Sequence, residues 1–197
     1  KAFDITFTDQ NNQRVHPHQT SWGVSTRLIG GIIMTHGDNN GLVLPPKIAP
    51  VQIVVVPVAQ HKPGVLDAAA ALLDRLQAAG FRAKLDDSDN SLGWKCAQWE
   101  MKGVPLRIEI GPKDLEQNQC CMVRRDNREK VFAPLAQLEQ SAASLLDAVH
   151  EGLYQRAKKN LEEHTYEAHS LEEARALQQE HGGFIKTMWC ESPECEA

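Results

Sequence analysis

The strongest constraint on this chain is Val51-Gln52-Ile53-Val54-Val55-Val56, a nearly unbroken apolar, mostly β-branched run. A strand with one wet face alternates polar and apolar residues; a continuous run marks a strand buried on both faces. Such a strand needs a layer above it and a layer below. The following sequence supplies them. Residues 64–79 place Leu66, Ala69, Leu72, Leu73 and Leu76 at helical spacing and stop at Gly80. Phe81, Ala83 and Leu85 alternate as a second strand. Asp86 to Asn90 is an acidic turn, and 91–102 reads as a helix ending at Gly103. Leu106, Ile108 and Ile110 form a third strand with Arg107 and Glu109 on its other face. Cys120 to Arg124 is a fourth strand, and Lys130 to Phe132 a short fifth.

Alternating strands and helices predict a three-layer α/β domain at about 49–133, its sheet mixed or parallel and covered on both faces. Beyond it a long helix is expected from about Leu135 to Glu163, with Leu135, Leu138, Leu145, Val149 and Leu153 toward the core. Ser170-Leu171-Glu172-Glu173 is a capping-box match opening a helix over 170–180. Phe184 to Trp189 is a last strand candidate.

The first part of the chain has a different character. Phe3, Ile5 and Phe7 alternate with polar residues, Asp9 to Asn12 is a hairpin break, and Arg14 to Trp22 is the return. A two-stranded ribbon is marginal alone, so partner strands are expected outside this sequence. Its opening residue, Lys1 rather than Met, gives the same expectation. Residues 25–36 fit a helix with Ser25 as N-cap. Gly30-Gly31 inside it costs roughly 1 kcal/mol per glycine against alanine, which suggests close packing on another backbone. Pro45, Pro46 and Pro50 mark a stiff linker and a domain boundary.

Composition excludes several classes. The net charge is −5, from 21 Lys+Arg against 26 Asp+Glu, which argues against a generally basic nucleic-acid coat protein. No apolar run reaches the ~18 residues of a membrane span. Five cysteines, an odd number in 197 residues, do not suit a secreted disulfide scaffold. A reducing, cytoplasmic setting is expected.

Local chemistry is richer than the net charge suggests. From Lys95 to Lys130 eight basic residues face six acidic ones, a local +2, with Trp94 and Trp99 among them. Such a stretch can clamp single-stranded RNA by stacking and phosphate pairing, and Arg with Glu on one strand face can read base edges. The simpler alternative is a solvated sheet face with mutual ion pairs and core tryptophans. Arg27, in a first helical turn, opposes the helix dipole and is best accommodated facing an anion such as phosphate, or solvent. Cys190 and Cys195 form a C-x4-C pair that can give two thiolates to zinc, short of the four ligands of a closed site. Inert thiols are the alternative, and Cys96, Cys120 and Cys121 read as small buried thiols. His16, His18 and His36 could form a ligand group, or each be a surface or hydrogen-bonded histidine. Asp86, Asp87 and Asp89 lack the glycine and glutamate of a calcium loop.

Taken in order, several stretches resemble the prolyl-tRNA synthetase family, of the kind found in archaea, eukaryotes and some bacteria. They are Lys1-Ala2-Phe3-Asp4, Thr20-Ser21-Trp22-Gly23-Val24-Ser25-Thr26-Arg27-Leu28-Ile29-Gly30, Thr35-His36-Gly37-Asp38 and Gly41-Leu42-Val43-Leu44-Pro45-Pro46. Gly93-Trp94-Lys95, Trp99-Glu100, Lys102-Gly103-Val104-Pro105-Leu106-Arg107 and Gly111-Pro112-Lys113-Asp114 continue the series.

The resemblance implies three parts. Residues 1–48 would be the end of a class II catalytic domain, with motif 3 at 20–30. There Arg27 would touch the ATP triphosphate with Ser25 nearby, while Trp22 and Gly23 would line the proline pocket. Residues 49–133 would be a three-layer α/β/α anticodon-binding domain with a mixed five-stranded sheet. In it Glu100, Arg107, Lys113 and Lys130 are candidates for reading the guanines of the proline anticodon. Residues 134–197 would be part of a C-terminal α+β zinc-type domain, with Cys190 and Cys195 as its first ligand pair. The implied reaction is ATP-dependent attachment of L-proline to its tRNA, with Mg accompanying ATP, in a homodimeric intact enzyme. Motifs 1 and 2 and a second cysteine pair are absent from these residues, so the chain alone is not expected to aminoacylate. A free-standing, non-catalytic RNA- or protein-binding module on the same domain is the alternative.

Overall fold

The computed structural model describes residues 3–188. Cys190 and Cys195 therefore lie outside the described residues. The chain divides into two compact units, Lys1–Gly31 and Ile32–Ala197.

In the first unit, β1 (Phe7–Thr8) pairs antiparallel with β2 (Arg14–Val15), Phe7 opposite Val15. Asp9 shapes the turn: its Oδ1 accepts from the N–H groups of Asn11 and Gln13, each at 2.9 Å. The expected strands are much longer than these two-residue pairs. Phe3 is 87 % exposed, because a two-stranded ribbon has no third layer on which to bury a face. A helix, α1 (Arg27–His36), follows, with the Arg27 N–H 3.4 Å from Ser25 Oγ as the N-cap reading expects. A Cβ built at Gly30 meets no heavy atom within 4 Å, so the expected close backbone approach is not found among the described residues.

The second unit is built on one sheet. Its strands are β3 (Ile53–Pro57), β4 (Ala83–Leu85), β5 (Leu106–Ile110), β6 (Gln119–Arg124) and β7 (Lys130–Pro134), in the order β4-β3-β5-β6-β7. β3 is parallel to β4 and β5, whereas β6 and β7 run antiparallel, so the sheet is mixed. The β-branched run lies near the middle, every residue of β3 buried.

Its two faces bury different partners. Ile53 and Val55 join Leu106, Ile108, Ile110 and Met122 under two helices, α2 (Val65–Ala78) and α5 (Leu138–Glu163), which contribute Leu72, Leu76, Leu138, Ala142 and Leu146. Val54 and Val56 face the other way, onto Val104 and Trp99, the latter from α3 (Leu92–Met101). The three layers are therefore helices, sheet and helix.

Three further elements complete the unit. A five-residue helix, α4 (Pro112–Glu116), opens where Asp114 Oδ2 accepts from the Gly111 N–H at 2.9 Å. After α5, β8 (Thr165–Glu167) pairs in parallel with β9 (Phe184–Lys186) around α6 (Leu171–Glu180). At α6 the Ser170 Oγ accepts from the Glu173 N–H as expected, but the Glu173 carboxylate caps His169 N–H rather than that of Ser170.

The proline-rich stretch is docked on this unit. Arg82 donates to the carbonyls of Ala49, Pro46 and Lys47. Just before it, the Leu42 N–H bonds to Met101 O and the Leu44 N–H to Gly103 O. Gly41 and Gly103 permit that approach: both have positive φ, and a Cβ at either would lie 2.6 Å from a neighbouring atom of the opposite segment.

Candidate nucleic-acid interface

The strand register arranges the chemistry. Along the α3-facing side of the sheet, Val54, Arg107, Val123 and Lys130 form one cross-strand row, and Val56, Glu109, Cys121 and Phe132 the next. α3 covers the β3 side of these rows. Toward β7 the rows end in exposed residues, Lys130 and Phe132.

Arg107 sits at the boundary between the covered and open parts. Its Nη1–H donates to Glu100 Oε1 at 3.0 Å and its Nε–H to Glu109 Oε1 at 2.8 Å. Its side chain is only 11 % exposed. Burial alone would lower the guanidinium pKa; Cys96 and the hydrogen-bonded carboxylates outweigh it and leave it raised. Arg107 is therefore fixed in position and charge. Among the described residues its Nη2 has no protein partner, nor has the second oxygen of Glu100 or Glu109. The site thus offers a guanidinium donor group with carboxylate acceptors beside it. A guanine presents an acceptor, O6, next to the N1–H and N2–H donors, so a donor and a neighbouring carboxylate oxygen can each meet a group of the right kind.

The other basic residues separate into two sets. Lys95 is buried, its Nζ donating to Gln60 Oε1 at 2.8 Å and to the Asp86 carbonyl at 3.0 Å. It closes the floor of a cleft of about 340 Å³ between the carboxyl ends of β3 and β4. Arg124 is held by Asp126 and Glu129, and Lys102 lies 4.4 Å over the Trp99 ring. Lys113, at the start of α4, and Lys130 are exposed and form no ion pair among the described residues. With Arg128, likewise exposed and without an ion pair among the described residues, they are the cations free to meet phosphate or base.

Trp99 takes the simpler alternative, a tryptophan packed on the core. Trp99 is packed on Val54, Val56 and Val104, and its Nε1–H donates to Asp86 Oδ2 at 2.7 Å. It is part of the core and cannot stack on RNA; Trp94 is 48 % exposed. Asp86 is the hub of the acidic turn. Burial opposes its ionisation, but bonds from Ser88 and Trp99 win and lower its pKa. The turn is structural.

Arg125 was counted only as a basic residue in the sequence, yet it is 4 % exposed. Both its terminal nitrogens bond Asp38, each at 2.7 Å, and its Nε–H donates to the Glu100 carbonyl. It ties the loop after α1 to the backbone of a candidate reading residue. Alternation alone does not reveal this pairing, which spans a long stretch of sequence.

Other candidates lie elsewhere. Trp22, Gly23, Ser25 and Arg27 fall in the first unit, on the irregular segment and first turn of α1, with Trp22 93 % exposed. His16 Nδ1 lies 3.0 Å from the Ile5 carbonyl, and His36 is pushed to a lower pKa by burial and Arg156. Among the described residues no group of three or more His, Cys, Asp or Glu could hold a metal ion. Cys96, Cys120 and Cys121 are free thiols; burial raises all three, Cys120 to about 11. No helix among the described residues is long and apolar enough to cross a membrane.

Residues 52–145, which hold the sheet and the helices on its faces, match the family described as anticodon binding domain. The family region includes the first part of α5, in keeping with its place in the core. Over its full length the chain is homologous to proline–tRNA ligases. It is 56 % identical to that of Ruminiclostridium cellulolyticum over 196 residues, 100 % of this chain and 41 % of the relative. It is 53 % identical to proline–tRNA ligase 2 of Bacillus cereus and to the proline–tRNA ligase of Clostridium novyi, with the same coverage. The chain thus spans about two fifths of the length of these curated relatives.

Proposed function

We propose that this chain is the C-terminal part of an archaeal/eukaryotic-type class II proline–tRNA ligase, and that its own contribution is to read the anticodon of proline tRNA. The observation that carries this reading is Arg107, clamped between Glu100 and Glu109 at the edge of an open sheet face. Its remaining donor can meet guanine O6 and a neighbouring carboxylate oxygen the N1–H and N2–H, while Lys113 and Lys130 supply cations without internal partners.

Residues 1–48 are then the end of the catalytic domain, 49–133 the anticodon-binding domain and 134–197 part of a zinc-type domain. α5 joins the last two, its first half lying in the sheet core. In the intact cytoplasmic enzyme Arg27 binds the ATP triphosphate with Ser25 beside it, and Trp22 with Gly23 lines the proline pocket. Arg27 suits that role because α1 has no acidic residue in its first turn to neutralise it. Cys190 and Cys195 are the proposed first pair of zinc ligands. ATP with Mg, L-proline and proline tRNA are the proposed substrates, and a homodimer the proposed assembly.

Lys113→Ala and Lys130→Ala test the reading without opening the Arg107 cluster. Each should weaken binding of proline tRNA and lower the slope of log affinity against log salt by about 1 if its contact is a phosphate. Glu100→Gln should instead relax the choice between proline tRNA and tRNAs with other anticodons. Equal binding of all tRNAs by the unmutated chain would overturn the proposal.

A further inference from the structure

We propose that Phe132 is a stacking platform for an unpaired nucleobase, which makes the β6–β7 ribbon a second base-binding subsite beside the Arg107 cluster. This rests on the anticodon-reading function proposed above. A single exposed phenylalanine is ordinary on a protein surface. What distinguishes Phe132 is its company. It is 61 % exposed on an outer strand of the sheet, and it shares a cross-strand row with Cys121 and Glu109.

The neighbours fit a nucleotide. Cys121, between Phe132 and Glu109, is small, so nothing bulky stands between the ring and the carboxylate. Lys130 lies two residues earlier on the same strand and the same face, exposed and without an ion pair among the described residues. A base on the ring would keep its phosphate within reach of that ammonium. β7 is two strands from β5, about 10 Å, so the stacked base is a neighbour of the one that Arg107 reads. A splayed single-stranded loop presents its bases in this way, one on a polar edge reader and the next on an aromatic face. The ring reads no base edge, so this subsite adds affinity with little base choice. Both tryptophans of the basic stretch are poorly placed for the task. Trp99 is locked in the core, and Trp94 sits on α3 rather than on the open strands.

The test uses the chain with an anticodon stem-loop RNA of proline tRNA carrying 2-aminopurine at each loop position in turn. Phe132→Leu keeps an apolar side chain but removes the π face, and Phe132→Trp keeps the face. On binding to the unmutated chain, quenching is expected at one loop position beyond that of loop closure alone. Phe132→Leu should abolish that quenching and raise the dissociation constant about five- to a hundredfold; Phe132→Trp should retain both. Unaltered quenching and affinity in Phe132→Leu, with Lys113→Ala weakened, would overturn the stacking subsite and leave the anticodon reading intact. If neither variant weakens binding, both proposals fail together.

Discussion

At the scale of residues, the unit depends on a few charged side chains with buried partners. Arg125 is the clearest, because its charge is taken out of water and Asp38 is the group that answers it. Asp38→Asn should cost about 1–3 kcal/mol at pH 7, since it strands a buried guanidinium; the value stays modest because Asp38 itself is 40 % exposed and screened. The pH dependence has a definite sign. The hydrogen bonds from Arg125 hold the Asp38 carboxyl well below the usual carboxylate range. A folded-state pKa below the unfolded value of about 3.9 gives stability that is full above that value and lost as pH falls through the folded pKa. The difference in melting temperature between the parent and Asp38→Asn should therefore be constant from pH 7 to about 5 and shrink below about 4. A difference unchanged down to pH 2 would contradict this. Residue roles were unevenly legible in the sequence. Arg107 and Glu109 follow from strand alternation, which puts both on one face. Arg125 and Asp38 do not, because their pairing depends on tertiary approach. Trp99 follows the reading of a core tryptophan, but its partner does not follow from spacing: its indole N–H donates to Asp86.

At the scale of elements, hydrophobic period was the reliable guide wherever a face is buried. β3, α2 and α5 were readable because each places its apolar residues on a covered surface, and the same burial now stabilises them. Leu76 on α2 is fully buried in the core that also holds Leu138 and Ala142. Leu76→Ala should cost about 2–5 kcal/mol in denaturant unfolding, lost transfer energy plus a residual cavity. Lys159→Ala, in the exposed second half of α5, removes only an i,i+4 pair with Glu163 at 3.7 Å and should change stability by less than about 0.5 kcal/mol. Equal losses for both variants would contradict a stability centred on the buried faces of α2 and the first half of α5. The elements that escaped the sequence are short. α4 has five residues and begins at Pro112 under a cap from Asp114, and β8 has three residues that need β9 beside them. Neither is long enough to show a period. β1 and β2 failed in the opposite direction, where a clear alternation promised more strand than an unsupported ribbon can hold.

At the scale of the whole chain, a net charge of −5 is compatible with the proposed RNA-reading face because most basic side chains of the central stretch are spent internally. Lys95, Arg124 and Arg125 stabilise the fold, and Arg107 is held by carboxylates, so a count of charges measures neither affinity nor specificity. The second unit contains the complete five-stranded sheet, its core and the Arg107 cluster, so the proposed tRNA reading is assigned to it. Amino-acid activation needs more. It requires groups placed around the ATP triphosphate and the proline carboxylate, where electrostatic stabilisation supplies most of the rate. Of the groups proposed for that purpose these 197 residues hold Arg27 and Ser25, without the family's motifs 1 and 2. The two capacities should therefore separate in one preparation. The chain should bind proline tRNA and discriminate against other anticodons, yet show no proline-dependent ATP–pyrophosphate exchange above background. Exchange that rises with proline and disappears in Arg27→Ala would show that motif 3 alone organises the reaction, and the division of labour argued from the fold would have to be abandoned. Binding without exchange, abolished by changes around Arg107 and untouched by Arg27→Ala, would place tRNA reading in the sheet domain alone.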